Sequence, residues 1–319
     1  MKLLKITILP CILTLISSVY AQNIADFTSI TPGAQTDEFV IASTHVFQVI
    51  AEVGDPLTEG GTFKVKPDFT GYVPIGGSST NGYLSVNSEG SPLVDGGGGV
   101  AVFDINFNGA TGLWDTTASE DLDFTSVGGT SANCSGTVTT WGTVITCEEG
   151  SLPDVLPPFD GYNDLGWNIE IDPSTKTVLG KYYEMGNFAH ENVTIHSNSR
   201  TVYQGADSDP GYLYKYVADV AGDLSSGNLY VYQGSKNGPG AWIQLNNSTQ
   251  AEQNSTLLQS GVTGVNATVF DGIEDVEIGP DGYVYFAVKG EGTVYRFTDS
   301  DVLESAPSVV NMETFVGGG

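Results

Sequence analysis

The sequence predicts an all-β chain folded as a β-propeller, and three observations carry that prediction. Among 319 residues there are 41 Gly and 14 Pro with 40% hydrophobic residues, too glycine-rich for a helix bundle and too apolar for a disordered acidic polymer. Short runs alternate apolar and polar residues between turn signals, the mark of half-buried strands. An internal repeat then sets those strands in a blade-like order.

The repeat is clearest in the second half. Its first copy reads Glu191-Asn192-Val193-Thr194-Ile195, a turn, Arg200 to Gln204, an acidic loop through Asp207 and Asp209, and Tyr212 to Val217. Its second copy reads Glu274-Asp275-Val276-Glu277-Ile278, the turn Gly279-Pro280-Asp281-Gly282, Tyr283 to Val288, a loop from Lys289, and Thr293 to Phe297. Each copy predicts three antiparallel strands. The opening glutamates stand 83 positions apart, about twice the roughly 40–45 residues of a propeller blade. A partial blade is therefore expected between them, from Asn228–Gln233 and Ala241–Leu245. Upstream, Gly82–Glu89 with Gly99–Ile105, and Gly142–Glu149 with Gly166–Ile171, have the same strand, acidic loop, strand order. A sandwich has no such period. The last residues, Phe315–Gly319, offer no closing strand, so the expected propeller is incomplete at its C-terminal end.

At the other end, Met1-Lys2-Leu3-Leu4-Lys5, an apolar run to Val19 and Val19-Tyr20-Ala21 before Gln22 form a Sec-type signal peptide. The run is short for a transmembrane helix and contains Pro10, and Cys11 stands in a poor lipobox. The expectation is a signal peptide over 1–21, one propeller domain over 22–319, and a secreted or periplasmic product without a membrane segment.

Charge narrows the function. With 38 acidic against 11 basic side chains the net charge is −27, and the two arginines are Arg200 and Arg296. Nucleic acid is excluded as a partner, because phosphate backbones are held by clustered Lys and Arg. If the chain is a propeller, Glu191 and Glu274 converge near its axis, and Glu89, Glu148, Glu149 and Asp207 gather on the same face. Carboxylates crowded in low dielectric repel unless cations neutralise them, so metal is the expected counter-charge. Oxygen ligands suit calcium; a thiolate beside carboxylates, as Cys147 offers, suits iron. The competing readings are solvated loop acids, and a Cys134–Cys147 disulfide in an oxidising compartment. His45, His190 and His196 have no Ser or Cys partner in a nucleophile-elbow setting.

Asn133-Cys134-Ser135-Gly136, Thr140-Trp141-Gly142-Thr143 and Thr146-Cys147-Glu148-Glu149 together resemble the signature of the PhoX-type alkaline phosphatases. Phe188-Ala189-His190-Glu191, Val86-Asn87-Ser88-Glu89 and Ile273-Glu274-Asp275 ahead of Pro280–Tyr285 extend the resemblance over about Gly71 to Phe297. The resemblance implies a secreted, monomeric propeller enzyme with calcium and iron as cofactors, acting on small organophosphates to release inorganic phosphate. Carried over by motif, Cys147, Glu191 and Glu274 would be iron ligands, and Glu149 and Asp207 calcium ligands. Glu89 would be a further metal ligand, and Asn133 a hydrogen-bond donor to substrate oxygens. The chain departs from the family where Gly272-Ile273-Glu274 replaces Arg-Pro-Glu, Ser88 replaces His and Thr139 replaces Pro. The signal peptide also lacks the twin arginines of many relatives, and the family's C-terminal motif region lies beyond residue 319. These departures keep a second expectation open, a non-catalytic calcium-stabilised propeller for binding or surface attachment.

Overall fold

A computed structural model describes residues 29–34, 36, 38–42, 45–91, 94–300, 302–303 and 310–317. The expected signal peptide, 1–21, lies outside the described residues. The chain divides into two compact units, Met1–Gln48 and Val49–Gly319. The described part of the first contains no helix or strand; the rings of Phe39 and Phe47 meet there at 4.7 Å.

The second unit carries four antiparallel blades among the described residues. Blade one comprises β1 (Pro67–Pro74), β2 (Asn81–Ser88), β3 (Gly99–Asn108) and β4 (Leu113–Asp121). Blade two comprises β5 (Asn133–Val138), β6 (Val144–Glu148), β7 (Asn168–Asp172) and β8 (Thr177–Lys181). Blade three comprises β9 (His190–Ile195), β10 (Thr201–Ala206), β11 (Leu213–Val220) and β12 (Asp223–Gly234), with β13 (Gly238–Gln244) added at its rim. After two short helices, α1 (Gln250–Asn254) and α2 (Thr256–Ser260), blade four comprises β14 (Ile273–Ile278), β15 (Val284–Val288), β16 (Thr293–Asp299) and β17 (Val310–Gly317). The first strands β1, β5, β9 and β14 neighbour one another in that order, as the inner strands of a propeller do.

One expectation is overturned. The segments between the two repeat copies are no separate blade: Asn228–Gln233 belongs to β12, the fourth strand of blade three, while Ala241–Gln244 belongs to β13. Blades three and four are consecutive, and β13 pairs with β17 to fuse them into one nine-stranded sheet. The 83-residue interval is thus a single blade lengthened by β13 and the two helices. Strand-length matching identifies repeats well, but a period measured across an insertion overcounts blades.

The apolar faces pack between blades. Val73, Val102, Val144 and Ile171 fill the seam of blades one and two. Ile145, Phe188, Val202 and Tyr216 fill that of two and three. Tyr203, Trp242, Phe270, Phe286 and Phe297 fill that of three and four. Complete burial of side chains this large contributes on the order of 1.5–3 kcal/mol each. The last seam also holds a buried ion pair: Lys215 Nζ on β11 lies 2.7 Å from Asp299 Oδ2 on β16, which accepts from the Tyr203 hydroxyl and the Trp242 indole as well. The turns repeat too. Thr139 N donates to Thr143 O, His196 N to Thr201 O and Gly279 N to Tyr283 O, each closing the hairpin between first and second strands. Gly142 and Gly282 take φ of +90° and +81° in two of these turns, where a side chain would be strained.

Candidate metal centre

The site arises from one irregularity present in all four blades. In each, the first residue of the inner strand pairs with the last residue of the second strand: Pro67 with Ser88, Asn133 with Glu148, His190 with Ala206, and Ile273 with Val288. Register then slips, so that two inner-strand residues face one on the partner. Such a β-bulge re-aims the side chain that precedes the normal ladder. The bulge opens with Asp68, Cys134, Glu191 and Glu274, giving four equivalent positions around the axis.

A second set follows from the same register. The residue just past each second strand is Glu89, Glu149, Asp207 or Lys289. Its backbone N–H donates to the carbonyl of the residue just before the inner strand: Lys66, Ala132, Ala189 and Gly272, at 2.9, 2.8, 3.0 and 2.9 Å. Side chains tie each inner strand to the neighbouring blade. Asn87 Nδ2 donates to the carbonyls of Cys134 and Ser135, at 3.0 and 2.8 Å. Asn192 accepts from Val276 N at 2.7 Å and donates to Val276 O at 3.2 Å. Next to Glu191, the buried His190 lies between Asn168 Nδ2 and the Gly186 carbonyl, at 3.2 and 3.0 Å, and burial lowers its pKa to about 3. It stays neutral and props the strand.

These supports bring potential ligand atoms into three overlapping groups, within each of which all lie within 4.8 Å: Asp68, Glu89 and Cys134; Cys134, Glu149 and Glu191; Glu191, Asp207 and Glu274. The Cys134 thiol lies 3.3 Å from Asp68 Oδ2 and 3.2 Å from Glu191 Oε1. Burial, a hydrogen bond with Asp207 and the charge of Glu191 raise the pKa of Glu149 to about 8. Burial and the charges of Glu274, Asp207 and Asp68 raise that of Glu191 to about 7, although the Cys134 thiol opposes the shift. Burial and Glu191 push the Cys134 thiol well up. Lys289 Nζ lies 2.5 Å from Asp207 Oδ2 and 2.7 Å from Glu274 Oε1.

Of the residues singled out in the sequence, Glu89, Glu149, Glu191, Asp207 and Glu274 fall in the three groups. Three others do not join the groups. Cys147 is wholly buried opposite the bulge of blade two, within electrostatic reach of Glu191 and Glu148. The thiol among the three groups belongs to Cys134. Both cysteines are free, which removes the disulfide alternative. Glu148 points inward, 3.2 Å from Lys181 Nζ and accepting from Thr130 and Trp167 N. Asn133 is also fully buried, and its amide hydrogens are committed to the Thr130 and Thr146 hydroxyls at 2.8 and 3.1 Å.

Sequence reasoning missed Asp68 and Lys289 and gave Cys134 no ligand role. The signal that finds them is positional: Asp68 and Cys134 stand where blades three and four have Glu191 and Glu274, and Lys289 stands where the other blades have Glu89, Glu149 and Asp207, but the residue type differs.

Comparison with known proteins agrees with this arrangement. The family model described as alkaline phosphatase PhoX matches residues 105–311, from the third strand of blade one into blade four. Among solved structures, Pseudomonas fluorescens PhoX in complex with vanadate, a transition state analogue, superposes with a TM-score of 0.71. Identity is 21%, over 92% of this chain and 76% of that one, a likeness of fold that confirms the propeller. Virginiamycin B lyase from Staphylococcus aureus, at 13% identity over 79% of this chain and 70% of that one, reaches a TM-score of 0.34 and carries no argument. No curated protein matches. No helix among the described residues is long and apolar enough to cross a membrane. The family match covers well over half of the sequence and takes in Cys134, Glu149, Glu191, Asp207, Glu274 and Lys289 at the axis, and on that ground the chain belongs to the PhoX alkaline phosphatases, a family of metal-dependent phosphoric ester hydrolases.

Proposed function

We propose that this chain hydrolyses phosphate monoesters to inorganic phosphate at a centre of calcium and iron, outside the cytoplasm and as a monomer. The observation that carries the reading is the convergence of Glu149, Glu191, Asp207 and Glu274 with the Cys134 thiol at one end of the inner strands. The donor set fits metal. Glu149 and Glu191 hold protons to about pH 8 and about pH 7 because their charges are crowded and half-buried, and cations would relieve that repulsion. Glu191, Asp207 and Glu274 offer only oxygen and suit a hard cation such as calcium. The groups containing the Cys134 thiol suit iron, with Cys147 beneath them and Glu89 completing the side of blade one. Bound there, metals supply Lewis acidity and positive charge toward the oxygens of a transferring phosphoryl group.

The chain's own part is to place and hold the ligands. The bulges aim Cys134, Glu191 and Glu274 at the axis, Asn87 ties β2 to β5, Asn192 locks β9 to β14, and His190 braces Glu191 without adding charge. Small organophosphates, rather than a polyanionic chain, are the substrates of this reading, since few cations surround the site. The N-terminal sequence of residues 1–21 supports export.

The test is turnover of an aryl phosphate by the full chain loaded with calcium and iron. Hydrolysis that requires metal and collapses in Glu274→Gln supports the reading. No turnover on monoesters or diesters, in protein shown by elemental analysis to hold its metals, leaves the non-catalytic binding propeller as the answer.

A further inference from the structure

The outer set of four positions is not uniform in charge. Glu89, Glu149 and Asp207 occupy it in blades one to three, and Lys289 occupies it in blade four. Equivalence rests on the backbone: Lys289 N donates to Gly272 O at 2.9 Å, as Glu89, Glu149 and Asp207 donate in their own blades. The lysine is therefore presented to the same axis as the acids, with its sign reversed.

Gly272 makes room for it. A Cβ added there would lie 3.0 Å from both Cγ and Cε of Lys289 and 2.8 Å from Asp207 Oδ1, and the residue has φ of +72°. The lysine stem thus lies along bare backbone. Its base is fixed by the turn, in which Gly292 N donates to Lys289 O, while the side chain remains 56% exposed. Other lysines near the blades are occupied elsewhere: Lys181 with Glu148, Lys66 with Asp95, and Lys64 with Asp121.

We propose that Lys289 is the phosphate-binding cation of this site, held on Asp207 and Glu274 until metal takes those carboxylates. The inference rests on the phosphatase reading above. An ammonium and a metal ion compete for the same two carboxylates, so loading releases the ammonium. Being exposed and anchored at its base, it then meets an anion arriving at the axis. No covalent step is involved, only an exchange of ion-pair partners.

Three forms of the full chain decide the matter: wild type, Lys289→Met and Lys289→Arg. Calcium titration of the chelated proteins should show Lys289→Met binding calcium on the order of tenfold more tightly, because its competitor is gone. Titration of the calcium- and iron-loaded proteins with inorganic phosphate should show Lys289→Met weaker by about tenfold, with Lys289→Arg within about threefold of wild type. KM for an aryl phosphate should rise in Lys289→Met more than kcat falls. Phosphate affinity unchanged in Lys289→Met overturns the proposal, and calcium affinity unchanged overturns its counter-ion half. Failure of the phosphatase reading looks different, since loaded wild type then turns over no ester. Failure of the inference alone leaves wild type active, with identical phosphate titrations for it and Lys289→Met.

Discussion

Blades three and four are the two best copies of one sequence unit, yet they deliver the same residue into different surroundings. Glu191 and Glu274 each open a bulge in the second position of an inner strand. Glu191 faces a thiol and three carboxylates, belongs to two of the three ligand groups, and is held protonated to about pH 7 by burial and like charge. Glu274 belongs to one group and is ion-paired with Lys289. Repetition of backbone therefore fixes where a side chain goes, and the neighbouring blades decide its chemistry. A family motif read one position at a time treats the two glutamates as alike.

The largest expected effect comes from breaking that asymmetry. If Glu191 serves two groups and Glu274 one, Glu191→Gln in the loaded protein should cost on the order of a thousandfold in kcat/KM for an aryl phosphate. Glu274→Gln should cost about a hundredfold, and should lose fewer metal equivalents by elemental analysis. Equal losses in both assays would erase the distinction.

Next in size is the seam that makes the two blades one body. Lys215→Met leaves Asp299 buried without its cation and should destabilise the fold by about 3–5 kcal/mol in denaturant unfolding. Asn192→Ala should cost less, about 1–3 kcal/mol, by leaving the Val276 backbone groups without their partners. Because it loosens Glu191 against Glu274, it should also weaken metal binding, whereas Lys215→Met, remote from the axis, should leave metal stoichiometry intact in the folded fraction.

The smallest effect is on pH dependence. In metal-free protein the raised values of Glu149 and Glu191 mean that the fold keeps protons the unfolded chain sheds above about 4.5. Their contribution to stability is fully present below that value and lost as pH rises through about 7 and about 8. The melting temperature of chelated protein should therefore fall between pH 5 and pH 9, less so in Glu149→Gln, and calcium should reverse the fall. Calcium affinity should rise over the same range as the ligands lose their protons.

What the sequence made legible follows from burial. Strands β9–β11 and β14–β16 were visible because alternating Val, Tyr and Ile pack against both neighbouring blades, and β2, β3, β6 and β7 because central strands are apolar. Strands β1, β4, β5 and β8 were not: Leu113–Asp121 is an exposed polar edge, and Asn133–Val138 begins with a bulge and contains a glycine. Glu191 and Glu274 were recognisable because residue type was kept with position. Asp68, Cys134 and Lys289 were hidden because position was kept and type was not. Cys147 directly precedes two glutamates in the sequence, but it lies opposite the bulge while Cys134 lies in it.

The central claim is that the bulge residues of the blades form one metal centre, and the most direct measurement is anomalous X-ray scattering from crystals of the calcium- and iron-loaded protein. The account predicts iron peaks beside Cys134 and Glu191 and density for a hard cation among Glu191, Asp207 and Glu274. Crystals of loaded protein with no anomalous or cation density at these residues would contradict it.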